Sequence, residues 1–247
     1  MGLKHLNDAG YKVEMEQDET GIWKTSLKLP GGCYLYQYAV SYDGGENFET
    51  IIDPANSTIY NTELGASQTR SQFFVPYDDK QMDEEYYDWS WVTPVENSEF
   101  AGQINAFSYD GLDGEQVAEI YLPAGYDEDR EEPYKVLYLS HGGGGDEADW
   151  FYQGNAGNIL DRLIEEGKCD PFIVVCMDNT VYGDAFPTEK YGIGYSSNDE
   201  YYLYCYENIK NYLIPFVEEN YNVSTEVAGR AFAGDSNGAA YDRNFYQ

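Results

Sequence analysis

The pentad Gly234-Asp235-Ser236-Asn237-Gly238 has the form G-x-S-x-G. Before it, Val227 to Ala233 are short and apolar enough for a buried strand. After it, Ala239, Ala240 and Tyr241 can open a helix. Strand, sharp turn and helix are the setting in which this pentad exposes a serine at the tip of an elbow. A turn that tight has no room for side chains at its flanks, which accounts for glycine at both ends. Ser236 is the expected nucleophile. The backbone N–H of Asn237, at the start of the helix, is an expected donor to a developing oxyanion.

Working outward, Tyr134 to Ser140 form a near-continuous apolar run, as in a strand covered on both faces. It ends at His141-Gly142-Gly143-Gly144-Gly145. Glycine after a strand end leaves a backbone N–H free to face a tetrahedral oxygen with no Cβ in the way. Gly143 is therefore the second expected donor, with His141, Gly142 and Gly144 supporting the loop. Asn158 to Glu166 are patterned as a helix with Gly167 as its cap, and Pro171 to Met177 as a further buried strand. Tyr201 to Tyr221 read as a helix in which Pro215 makes a kink or starts the last segment. Upstream, Gly102–Tyr109 and Glu115–Leu122 flank the turn Asp110-Gly111-Leu112-Asp113-Gly114 and predict a hairpin. Hairpin, then strand–helix–strand–helix–strand, predicts a mostly parallel α/β sheet in residues 99–247.

Residues 1–75 read as all-β. Gly21 to Leu29 alternate apolar and polar, Pro30-Gly31-Gly32 is a turn, Cys33 to Val40 are a second strand, and Phe48 to Ile52 a third that exits at Asp53-Pro54. Residues 76–98 are a junction, with the boundary placed near 95.

Acidic residues outnumber basic ones 45 to 14, a net charge of -31. Such a surface repels phosphate backbones and anionic lipid, so neither nucleic acid nor membrane is an expected partner. Aromatic residues make up 17%, far from the composition of a disordered acidic chain. Cys33, Cys169, Cys176 and Cys205 lack C-x-x-C spacing and neighbouring histidines, so free thiols are expected, with no metal and no cofactor. No apolar run reaches transmembrane length, and Met1 to Gly10 do not form a signal peptide.

Several phrases resemble one family. Ile120-Tyr121-Leu122-Pro123-x-Gly125-Tyr126, the His141-Gly142-Gly143-Gly144 loop, Leu213-Ile214-Pro215 through Glu218 to Tyr221, and the elbow are similar to the esterase D-like, feruloyl-esterase-like branch of the α/β-hydrolases. Gly21-Ile22-Trp23, Leu29-Pro30-Gly31, Tyr34-x-Tyr36-x-Tyr38 and Asp53-Pro54-Ala55-Asn56 resemble the immunoglobulin-like, glycogen-binding-like module that precedes many bacterial esterases. The resemblance implies an α/β-hydrolase fold after a small all-β sandwich, and hydrolysis of esters on plant cell-wall polysaccharide or oligosaccharide, of the feruloyl or acetyl xylan type. It also implies an extracellular setting. Trp150, Tyr182 and Tyr191 are candidates for the substrate pocket, although Trp150 equally reads as packing its loop. Trp23, Tyr36 and Tyr38 read as core or interface residues, with sugar stacking as the alternative.

The sequence departs from the family at the elbow, where Asp235, Asn237 and Ala239 replace the usual leucine, methionine and glycine. Asp235 puts a charge beside the nucleophile. The elbow families order their triad Ser, then acid, then His. The two histidines, His5 and His141, both precede Ser236, and Asp178 and Asp242 are the nearest candidate acids. The chain thus reads as the N-terminal half of the hydrolase sheet, with catalytic acid and histidine expected beyond Gln247. Two other readings stand beside the esterase: a non-catalytic carbohydrate-binding remnant, and a siderophore or thioester hydrolase of the same fold.

Overall fold

Ile173–Met177 is five residues, all apolar, and all buried, at the centre of a five-stranded sheet. The computed structural model describes residues 12–29, 31–56, 71–75, 90–142, 145–179, 199–236 and 238–239. The chain divides into two compact units. One comprises Met1–Ser57 and Thr69–Trp91, the other Thr58–Gln68 and Val92–Gln247.

In the first unit the strands pair two by two, always antiparallel. The pairs are β1 (Glu16–Gln17) with β2 (Trp23–Lys24), β3 (Gly32–Tyr36) with β6 (Ser71–Val75), and β4 (Tyr38–Val40) with β5 (Glu49–Ile51). The strand predicted over Gly21–Leu29 shrinks to two residues because its partner is only two residues long. Trp23 and Ile22 stay 59% and 55% exposed, so the alternation there marks no buried face. The strand predicted over Cys33–Val40 is broken at Gln37. Asp53 gathers the exit: its carboxylate accepts from Tyr36 Oη at 2.5 Å and Tyr38 Oη at 3.2 Å, and its N–H donates to Ser71 Oγ.

In the second unit, β7 (Gln103–Gly111) and β8 (Gly114–Leu122) form the predicted hairpin. The strands β9 (Val136–Ser140), β10 (Ile173–Met177) and β11 (Arg230–Gly234) are parallel, in the order β11-β9-β10-β8-β7. Val227–Gly229, predicted to belong to β11, instead make a 3-10 turn with Val227 83% exposed. Ser140 lies opposite both Met177 and Gly234, so the three parallel strands end in one row. Their following loops leave the sheet side by side.

Both faces are covered. On one, α1 (Asp149–Tyr152) and α2 (Ala156–Glu165) pack Phe151 and Leu160 against Tyr121, Leu139, Val174 and Cys176. The end of α2 closes as a Schellman motif: Gly167, at φ 65°, donates to Ile164 O and Lys168 to Leu163 O. On the other face lie α3 (Asp199–Asn208), a π-helical turn (Ile209–Leu213) and α4 (Ile214–Asn220). Ile209, Leu213, Ile214 and Val217 pack there against Ile120, Val136, Tyr138 and Val175. Pro215 has no N–H and starts the last segment, and the widened turn before it accommodates the ring. Asn208, at that widening, accepts from Leu112 N–H at 2.8 Å and donates to Tyr109 Oη at 3.0 Å, anchoring the tip of the β7–β8 hairpin. Among the described residues Cys169, Cys176 and Cys205 form no disulfide. No helix among them is long and apolar enough to cross a membrane.

One residue opposes the rest of the core. Glu119, in the middle of β8 opposite Cys176, is fully buried and neither carboxylate oxygen has a hydrogen-bond partner among the described residues. Burial, then the charges of Glu147 and Asp146, push its pKa up to about 8. A carboxyl protonated in the fold but ionised in the unfolded chain makes stability fall as pH rises between the two pKa values. The slope is about 1.4 kcal/mol per pH unit. Glu119→Gln is expected to melt near the wild type at pH 4.5 and clearly above it at pH 8, by differential scanning fluorimetry. Parallel pH curves for the two proteins would contradict this.

Candidate active site

The elbow is built by a close approach of backbones. A Cβ on Gly234 would stand 2.4 Å from the Gly238 carbonyl carbon. One on Gly238 would stand 2.5 Å from Ser140 O and 2.7 Å from His141 O. Only glycine fits either place. The N–H of Asp235 donates to Ser140 O at 3.2 Å, and that of Gly238 to Asp235 O at 2.7 Å, so the turn is tied both to itself and to the end of β9. Ser236 sits at φ 50°, in the left-handed region that a residue with a Cβ occupies at a cost. Its side chain is exposed, as is Asp235. Gly238 and Ala239 begin a helix directly behind it.

The loop after β9 comes to the same place. A Cβ on Gly142 would lie 3.3 Å from Ser236 Cβ and 2.9 Å from Asp235 Oδ2. The Gly142 carbonyl accepts twice, from the His141 ring at Nδ1 (2.7 Å) and from the Gly145 N–H (3.2 Å). His141 is buried, and its Nε2 meets the Asn179 N–H at 2.9 Å and Asp178 Oδ1 at 3.2 Å. Burial pulls the imidazole pKa down, but the bonds to Asp178 and the Gly142 carbonyl, with the charges of Asp178 and Asp149, outweigh it and hold the pKa above its ordinary value. Asn179 also donates through its side chain to Ser140 Oγ, latching the end of β10 to the end of β9.

Of the residues singled out in the sequence, the structure brings Ser236, His141 and Gly142 to one row of loops. Asp178 joins them, bonded to His141. Trp150 packs against the α1–α2 side of the core, its Nε1 buried with no hydrogen-bond partner among the described residues. Gly143, Gly144, Asn237, Tyr182, Tyr191 and Asp242 lie outside the described residues. Sequence reasoning passed over Asn179 and the acidic belt under the loop. The signal for Asn179 was its place, two residues past a fully apolar strand. Asp146, Glu147 and Asp149 surround the loop's base. Burial, against its own backbone bond, and then the charges of Asp178 and Asp146 push Glu147 up to about 7, and burial first also raises Asp149. The described residues hold no cluster of three metal-binding side chains.

This combination of an open α/β sheet, a serine elbow at a strand's carboxyl end and a glycine loop beside it defines an α/β-hydrolase. The Esterase family profile matches residues 111–241, more than half of the chain, and the chain belongs to that family. It is 29% identical over 227 residues to an endo-1,4-beta-xylanase/feruloyl esterase of Xylanibacter ruminicola, covering 91% of this chain and 28% of that protein. It is 34% identical over 127 residues to endo-1,4-beta-xylanase Y of Acetivibrio thermocellus, covering 51% of this chain and 10% of that protein. The chain therefore spans under a third of the length of either relative. A solved CE1 ferulic acid esterase from Anaeromyces mucronatus shares the fold, with TM-score 0.52 and 24% identity over 63% of this chain and 56% of that one.

Two substitutions test the elbow. Gly238→Ala drives a methyl into the two carbonyls at the end of β9 and is expected to cost about 2 kcal/mol or more in urea unfolding. Ser236→Gly relieves the left-handed backbone and is expected to stabilise by up to about 1 kcal/mol. A Gly238→Ala protein as stable as the wild type would contradict the packing described.

Proposed function

We propose that this protein is a serine carboxylic-ester hydrolase acting on esters attached to plant cell-wall polysaccharide, of the feruloyl or acetyl xylan type. One observation carries the reading: Ser236 is exposed, held at φ 50° on the elbow, and packed beside Gly142 of the glycine loop. A strained, exposed serine beside a glycine loop is the setting that acyl transfer uses. Its relatives support the substrate class, one being a xylanase/feruloyl esterase.

In this mechanism Ser236 Oγ attacks the ester carbonyl as a histidine takes its proton. The tetrahedral oxyanion is held by the backbone N–H groups of Gly143 and Asn237. The collapse expels the sugar alcohol and leaves an acyl-serine, which water hydrolyses by the same steps. His141 is not the base, because the Gly142 carbonyl and the end of β10 occupy both its nitrogens. Trp150, Tyr182 and Tyr191 are proposed to line the pocket. Residues 1–75 are proposed as an accessory immunoglobulin-like module, and its exposed Trp23 favours the sugar-stacking role over the core role. Polymeric xylan as substrate places the enzyme outside the cell.

Methyl ferulate hydrolysis is expected to fall at least about 10³-fold in Ser236→Ala. Release of ferulate against release of acetate from xylan fragments decides the acyl type. Turnover unchanged by Ser236→Ala would remove the serine mechanism.

A further inference from the structure

His141 is the imidazole among the described residues, and the surroundings of its Nε2 are unusual. That one atom faces a donor, the Asn179 N–H at 2.9 Å, and an acceptor, Asp178 Oδ1 at 3.2 Å. A ring nitrogen can satisfy only one of these at a time. Carrying a lone pair, it accepts from Asn179; carrying a proton, it donates to Asp178. In the neutral ring a lone pair on Nε2 requires the proton to be on Nδ1, and in the charged ring both nitrogens carry protons. Nδ1–H is therefore present in both states, 2.7 Å from the Gly142 carbonyl.

We propose that Asp178 and Asn179 are a two-way positioning pair: they hold His141 in either charge state, so that its Nδ1–H never leaves the Gly142 carbonyl and the loop beside Ser236 keeps one shape while the imidazole titrates. The pair has little freedom to swing away, because the Asn179 side chain is latched to Ser140 and Asp178 N–H meets Val117 O at 3.5 Å. A fixed Gly142 carbonyl keeps Gly142 in place against Ser236, and the catalytic value of that contact rests on the ester-hydrolase reading. The charged groups facing His141 are Asp178 at the end of β10, Asp149 of α1 and Glu147 of the loop. Asp146 adjoins them in the loop, and Asp235 lies against Gly142. Among the described residues these groups are all acidic, so none of them repels the imidazolium.

The chain contains two histidines, so His5→Gln leaves His141 as the single imidazole signal. In ¹⁵N-histidine-labelled His5→Gln protein, the neutral ring is expected to show a protonated Nδ1 and an unprotonated Nε2. Asp178→Asn should keep that tautomer and lower the His141 midpoint by about one pH unit, through loss of the opposing charge. A neutral ring protonated on Nε2 overturns the proposal, and so does an unmoved midpoint in Asp178→Asn. The tautomer is read with Asp178 intact, so it decides the matter even where Asp178→Asn fails to fold. Ser236→Ala separates the two readings: it should abolish ester hydrolysis and leave the His141 spectrum unchanged. A correct tautomer without Ser236-dependent hydrolysis sinks the enzyme reading alone, and hydrolysis with the wrong tautomer sinks the positioning pair alone.

Discussion

The carboxyl end of the sheet depends on how closely residue 238 approaches the end of β9. With its Cα this near the carbonyls of Ser140 and His141, nothing larger than glycine passes. That approach turns the chain sharply after Gly234 and leaves Ser236 in the left-handed region. The strain, of order 1 kcal/mol or more, persists only because the surroundings over-determine it. They do so through the register: Ser140, Met177 and Gly234 end in one row, so the elbow, the glycine loop and the Asp178-Asn179 pair all start from one rigid edge. A site assembled on strand ends inherits the rigidity of the buried strands beneath it, here the wholly buried β10.

Much of this was legible because it rests on local chemistry. The apolar runs at Val136–Ser140 and Ile173–Met177 have no alternative to burial on both faces, and the glycines of the elbow and of the α2 cap stand where a Cβ is excluded or φ is positive. What escaped was set by partners far away in sequence. The alternation in Gly21–Leu29 predicts a strand, but a strand is only as long as its partner, and β1 offers two residues. Val227–Gly229 is apolar like the strand it precedes, yet turns, with Gly229 lying too close to Ser224 for any side chain. Glu119 falls in a strand of mixed polarity, and nothing nearby announces that a loop 24 residues beyond β8 brings Asp146 and Glu147 to it.

The same distance effect shaped the reading of the site. Ser236 and the glycine loop carry their chemistry in short motifs, and the structure places Gly142 against Ser236. Asp178, singled out in the sequence as a candidate acid near the nucleophile, is instead a partner of His141. Its neighbour Asn179 makes the two bonds that tie the strand ends together, one from backbone and one from side chain. A backbone donor carries no residue-type signature, so no sequence pattern points to it.

Charge poses the remaining physical problem. The oxyanion of the proposed reaction would form next to Ser236, within reach of Asp235 and above a belt of carboxyls, and a formal count makes that neighbourhood strongly negative. The count overstates the field. Glu119 and Glu147 are pushed up to about 8 and about 7, because each sits where ionising would cost desolvation and repulsion together. Asp178 has the His141 imidazole as its partner. Asp235 is exposed, where water and salt screen it. Glu119 and Glu147 are thus held towards the neutral form, Asp178 is paired and Asp235 is screened, so an oxyanion at the proposed site would meet less repulsion than the composition implies. The buried carboxyls lower the stability of the fold at alkaline pH, but their raised pKa values lessen the negative charge beneath the loop end of the sheet, where the proposed chemistry would develop more.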